Sequence, residues 1–139
     1  MSKVWSKLHV VSDSDLAAKV KKLDADVVVL VAKEAQHPGE DFGVEHVLRC
    51  PLPDDPSKPL SRSQRAAADT AAIAAATAAN EGRRVVVSCM RGLDRSPFIA
   101  ALAMIRGGVD VQKAIARVQK ARPGALERNK QLVAALRDG

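Results

Sequence analysis

Val27-Val28-Val29-Leu30-Val31 sets five branched aliphatic residues in succession. Alternate side chains of a strand point to opposite faces, so a run this apolar buries both of them. Such a strand asks for helices on each side of its sheet, which is the layering of an α/β domain. Arg83-Arg84 leads into a second run of the same kind, Val85-Val86-Val87-Ser88. Leu8-His9-Val10-Val11 reads as a shorter strand, bounded by Ser12-Asp13-Ser14-Asp15, a helix N-cap signal. Leu16, Val20 and Leu23 then recur at helical spacing.

The remaining segments follow from their punctuation. His37 to Asp41 is a loop, and Val44 to Leu48 is expected as another strand. Pro51 to Pro59 holds four prolines in nine residues, which excludes helix and central strand and makes it a rigid connecting loop. Ser61 caps an alanine-rich helix running to about Asn80 and ended by Glu81-Gly82. Pro97 to Ile105 is a buried helix closed at Gly107-Gly108, and Asp110 caps another to about Ala121. Pro123-Gly124 breaks the chain before a last amphipathic helix, expected to carry Leu126, Leu132, Val133 and Leu136 on its apolar side. The 139 residues thus predict one domain, 1–139: a central, mostly parallel sheet flanked by helices, with a helical C-terminal third.

Between the second buried strand and the helix that follows lies Cys89-Met90-Arg91-Gly92-Leu93-Asp94-Arg95-Ser96. Amides of such a loop converge at a helix N-terminus, where unpaired N–H groups and the macrodipole favour an anion. Gly92 allows a turn that other residues resist. Arg95 supplies a planar fork for phosphate oxygens, and the same field favours a thiolate nucleophile at Cys89. No GxxxxGK[ST] and no GxGxxG occurs, so a nucleotide-binding glycine loop is a poor competitor.

Composition narrows the partners. A net charge of +6 favours anionic ones, while 2% aromatics leave almost no stacking platform, which argues against nucleic acid without excluding it. With two cysteines and neither CxxC nor HxxxH spacing, neither a disulfide framework nor a zinc site is expected, and no metal or cofactor is called for. No apolar run approaches the roughly 20 residues of a membrane span, and Met1 to Trp5 lacks the apolar stretch of a secretion signal. A cytoplasmic monomer is the expectation.

Cys-x5-Arg-Ser, as Cys89 to Ser96, resembles the signature of the cysteine-dependent protein tyrosine phosphatase superfamily, and the rest of the chain resembles its dual-specificity branch. Val4 to Val10 is similar to the opening strand of those domains. Pro51-Leu52-Pro53-Asp54 through Leu60 is similar to their general-acid loop, and Ala121-Arg122-Pro123 with Asn129 to their C-terminal helices. The low-molecular-weight phosphatases share the signature but carry it near the N-terminus.

The resemblance implies a protein tyrosine phosphatase-like fold and a set of roles. Cys89 would form a phosphocysteine intermediate. Arg95 and the amides of Met90, Arg91, Gly92, Leu93 and Asp94 would hold the phosphate oxygens, and Ser96 would hydrogen-bond Cys89. The distance to Leu60 favours Asp54 as general acid, with Asp55 in reserve. Cys50 is a candidate redox partner of Cys89, and Arg91 a candidate contact for a second anionic group. His9, His37 and His46 show no partner pattern. Two departures stand out: Ser88 replaces the histidine that orients the loop in relatives, and Asp94 puts a carboxylate where they carry a small or neutral residue. Phosphorylated protein is the expected substrate, as phosphotyrosine with phosphoserine or phosphothreonine. The alternatives are an RNA 5′-phosphatase, which Gly92 to Ser96 also resembles, and a phospho-ligand binding module without turnover.

Overall fold

A computed structural model of the chain describes residues 3–5 and 7–138. Part of the expected opening strand, Ser6, lies outside the described residues, as do Met1, Ser2 and Gly139. The elements are β1 (Lys3–Trp5), β2 (Leu8–Ser12), α1 (Asp13–Leu23), β3 (Val27–Ala32), β4 (His46–Leu52), α2 (Arg62–Asn80), β5 (Val85–Cys89), α3 (Arg95–Arg106), α4 (Val111–Ala121) and α5 (Lys130–Arg137). A short 3-10 turn spans Gly39–Asp41. The expected opening strand is two strands, β1 and β2, paired antiparallel.

The sheet runs β1-β2-β5-β3-β4, and β2, β5, β3 and β4 are mutually parallel. The valine runs form its middle, and every residue of β2, β3 and β5 is buried. Their alternation divides the core. Val28, Leu30 and Val86 face α1 with Leu16 and Val20. Val27, Val29, Val31, Val85 and Val87 face the larger layer formed by the other helices. Alanines 68, 71, 72, 75, 76, 78 and 79 are buried along α2, and their small side chains let that helix lie close to α3 and the sheet. Ser61 and Gln64 cap it reciprocally. None of the described helices is long and apolar enough to cross a membrane.

Three boundaries differ from expectation. Strand β4 starts at His46 rather than Val44, because Val44 turns into the α1-side cluster beside Phe42 and Leu23 instead of pairing. The same strand runs on through Pro51 to Leu52. A proline is tolerated there because β4 is the sheet edge, where one row of N–H groups has no strand to bond. Leu126 lies outside the last helix. It is buried in the turn before α5 with φ of 63°, and its N–H donates to the Leu93 carbonyl at 2.8 Å. Tertiary contact, not helical phase, made that leucine apolar.

Candidate active site

All four parallel strands point their carboxyl ends at one rim, where α/β folds gather their sites. Strand β5 delivers Cys89 to that rim and α3 starts at Arg95, so Cys89 to Asp94 must turn within six residues. The turn is braced from three directions. The Asp13 N–H at the head of α1 donates to the Met90 carbonyl at 3.0 Å. Arg122 reaches back from the end of α4, its Nε donating to the Gly92 carbonyl at 3.2 Å and its Nη2 to the Arg91 carbonyl at 2.6 Å. The Leu126 N–H holds the Leu93 carbonyl. These bonds tie the carbonyls of Met90, Arg91, Gly92 and Leu93 to neighbouring segments.

Gly92 is required here. Its φ is +71°, and a Cβ would lie 2.9 Å from Arg122 Nη2 and 3.1 Å from the Val11 backbone. The Arg122 tip could yield; the Val11 backbone could not.

Cys89 is buried at the floor of the loop, 3% exposed. Its Sγ accepts from the Ser96 N–H at 3.3 Å and lies 3.1 Å from Ser96 Oγ. Both contacts come from the first turn of α3. Ser88, in place of the relatives' histidine, is buried, and its Oγ reaches only the Cys89 carbonyl, at 3.4 Å.

Arg95 is 3% exposed, and its charge is matched by Glu34. Nη1 and Nη2 donate to the two Glu34 carboxylate oxygens at 2.6 and 3.0 Å, and Nη1 also donates to the Leu52 carbonyl at 2.9 Å. That consumes the end-on fork of the guanidinium. The side edge, formed by Nε–H and the second Nη2–H, has no acceptor among the described residues, and it is a second bidentate fork. Burial opposes the Arg95 charge, but Glu34 outweighs it and raises the guanidinium's basicity; the Arg95 hydrogen bond lowers the Glu34 pKa in return.

The two aspartates of the proline-rich loop part company. Asp54 lines a small cleft with Cys89, Met90, Arg91, Leu93, Asp94 and Arg95. Asp55 lines a different pocket, with Lys58 and Gln64. It accepts from the Ser57 side chain at 2.5 Å and the Ser57 N–H at 3.0 Å, and these bonds lower its pKa. Arg128 Nη2 lies 2.5 Å from Asp54 Oδ1 and 2.5 Å from Asp94 Oδ2. Asp94 is thus paired with Arg128 through Oδ2, while its buried Oδ1 has no hydrogen-bond partner among the described residues. Arg91 and Met90 are exposed at the rim.

Cys50 is fully buried in β4, where loss of hydration pushes its thiol up to about 11. Strand β3 separates it from β5. Two strand spacings put the backbones of Cys50 and Cys89 about 10 Å apart, beyond the roughly 7 Å a disulfide spans, so the pair cannot bridge without backbone movement. Of the histidines thought partnerless, His37 lies 2.6 Å from Asp13 and His46 3.1 Å from Glu45. No group of three or more His, Cys, Asp or Glu able to hold a metal ion occurs among the described residues.

Glu34 and Arg128 were not singled out in the sequence, and Arg122 entered only through the resemblance of Ala121-Arg122-Pro123. For Glu34, a carboxylate two residues past a fully buried parallel strand was the available signal, since that is the rim on which such sheets place their chemistry. Arg128 carried none.

Neither a protein-family model nor a curated protein matches the chain. Solved structures do. Human DUSP28 is 24% identical with a TM-score of 0.81, covering 98% of this chain and 89% of its own. A variant of that protein is 26% identical with a TM-score of 0.83, covering 99% of this chain and 91% of its own. Tk-PTP in its active form is 24% identical with a TM-score of 0.75, covering 99% and 93%. Likeness over whole chains, with the loop at the sheet's carboxyl rim, gives this chain the dual-specificity-phosphatase-like fold of the protein tyrosine phosphatase superfamily.

Proposed function

We propose that the protein is a cysteine-dependent phosphomonoesterase that dephosphorylates phosphotyrosine, and also phosphoserine or phosphothreonine, in proteins. One observation carries the reading: Cys89 Sγ sits at the floor of the loop, hydrogen-bonded by Ser96, in a cleft shared with Arg95 and Asp54. The Cys89 thiolate attacks phosphorus as the P–O bond to the leaving group breaks. Asp54 donates its proton to the departing oxygen. Loop amides and the free edge of Arg95 hold the equatorial oxygens as charge shifts outward. Water then attacks the phosphocysteine, Asp54 takes up its proton, and the Ser96 hydroxyl stabilises the released thiolate. Glu34 holds the Arg95 fork in place. The absence of tyrosine from the chain favours a permissive site. The two unpaired cysteines suit a reducing compartment such as the cytoplasm.

The test is hydrolysis of para-nitrophenyl phosphate in chelator. Turnover without metal, blocked by vanadate and lost in Cys89→Ser, is expected. Metal-dependent activity that survives Cys89→Ser would sink the mechanism. Phosphopeptides and 5′-triphosphate RNA run side by side decide the substrate class, with release from the peptides expected to be the faster.

A further inference from the structure

Asp94 and Arg128 answer one another across 34 residues. The Asp94 side chain is 6% exposed, inside the phosphate-binding loop, and a carboxylate so buried needs a cation. Arg128 supplies two donors, Nε at 2.9 Å and Nη2 at 2.5 Å, both to Oδ2. The arginine is anchored from behind as well. Its segment is tied to the loop through the bond between Leu126 N–H and the Leu93 carbonyl, and it leads into buried Asn129, the N-cap of α5. The same Nη2 that contacts Asp94 contacts Asp54 Oδ1. Asp54 stands on a stretch with neither helix nor strand, which among the described residues is otherwise held by local side-chain bonds between Asp55 and Ser57. Among the described residues, Arg128 is therefore the hydrogen-bonded tie between the Asp54 carboxylate and the loop that carries Cys89.

We infer that Arg128, seated on Asp94, is a positioning residue that holds Asp54 over Cys89; the inference rests on the reading of Asp54 as the general acid. The division of oxygens suits the task. Arg128 occupies Oδ1, and no bond among the described residues engages Oδ2, which is left to carry the proton to the leaving group. Asp94, which alone would repel a phosphate dianion, is neutralised by the guanidinium that positions the acid.

Aryl phosphates with leaving groups of graded pKa test this, because only the acid's work depends on the leaving group. Asp54→Ala is expected to lose about 100-fold in kcat/KM on the poorest leaving groups and little on the best. Arg128→Ala is expected to lose about tenfold with the same selectivity, and to lose nothing further in an Asp54→Ala background. Since Arg128→Ala strands the Asp94 charge, Arg128→Ala combined with Asp94→Asn removes both and is expected to show the same selectivity. Arg128→Lys, which keeps charge but not the fork, should recover part of the loss. An Arg128→Ala loss that is equal for all leaving groups, or undiminished without Asp54, overturns the positioning role while leaving the acid in place. An Asp54→Ala profile flat across leaving groups removes the acid reading itself, and the inference with it.

Discussion

The loop around Cys89 and the loop around Asp54 meet at one cleft, yet they are built by opposite means. The first is buried and held by bonds from α1, from Arg122 and from the turn before α5. The second is proline-stiffened and largely exposed, and reaches the cleft through one aspartate and one arginine contact. Rigidity in the first comes from tertiary bonds. In the second it comes from fixed φ angles within the chain. A phosphate cradle must present several donors to one anion at once, so its geometry has to be over-determined. An acid has one proton to deliver and can ride on a loop that yields to substrates of different shape.

If that contrast is right, damage to the cradle should be severe and indiscriminate. Gly92→Ala is expected to have the largest effect. Its Cβ meets the Val11 backbone and its φ is left-handed, so the loop must open. We expect kcat/KM to fall about 100-fold for good and poor leaving groups alike, with a stability loss of about 1–3 kcal/mol. Thermal unfolding and vanadate affinity check it; an unchanged vanadate Kd would show that the cradle is not set by Gly92. Substitutions on the acid loop should instead be selective. Asp55→Ala should stay within about twofold of wild type on every leaving group, since Asp55 serves Ser57 outside the cleft. Leaving-group-dependent loss in Asp55→Ala would transfer the acid role to it.

An effect smaller than that of Gly92→Ala but larger than that of Asp55→Ala is expected from Glu34→Gln, which removes the charge that balances Arg95 but keeps the shape. We expect about tenfold lower kcat/KM, because Arg95 loses its end-on clamp while its side fork remains. The pH dependence has a definite sign. Glu34 is held below its ordinary value of 4.5 by Arg95, so its stabilisation is fully present above that value and disappears as pH falls through the lowered native one. The Glu34 side chain is half exposed, which limits the contribution to about 1 kcal/mol or less. Melting temperatures of wild type and Glu34→Gln should therefore differ above pH 5 and converge as the medium is acidified toward 3. A gap that widens in acid would contradict the pair.

The same contrast explains what could be read before any coordinates. The valine runs announced β3 and β5 because burial on both faces leaves its mark residue by residue. Edge strand β4 carries a proline, so its bounds slipped, and Leu126 is apolar because its side chain is buried in the core rather than because it lies on a helix. At the site, eight consecutive residues hold the proposed nucleophile Cys89, the turn glycine Gly92 and Arg95, so this loop was legible. Glu34 meets Arg95 from 61 residues away, and Arg128 meets Asp54 from 74. Side chains paired over such distances leave no spacing to read. Asp94 was the exception in part: as a carboxylate out of place, it was the visible half of a pair whose other half is Arg128.

The smallest effect concerns Cys50, and it tests whether the looseness of the Asp54 loop stops at the edge strand that carries it. Cys50 is fully buried, and its thiol, at about 11, is neutral near pH 7. Iodoacetamide at that pH should label Cys89 and leave Cys50 unmodified, as peptide mass spectrometry would show. Val31 of β3 stands between the two cysteines in the core. Limited peroxide should then oxidise Cys89 without the 2 Da loss of an internal disulfide, and denaturant should restore cross-linking. A Cys50–Cys89 disulfide formed under native conditions would mean that β4 can leave the sheet's edge. The Asp54 loop, which continues from β4, would then move together with its strand, and its looseness would reach into the sheet itself.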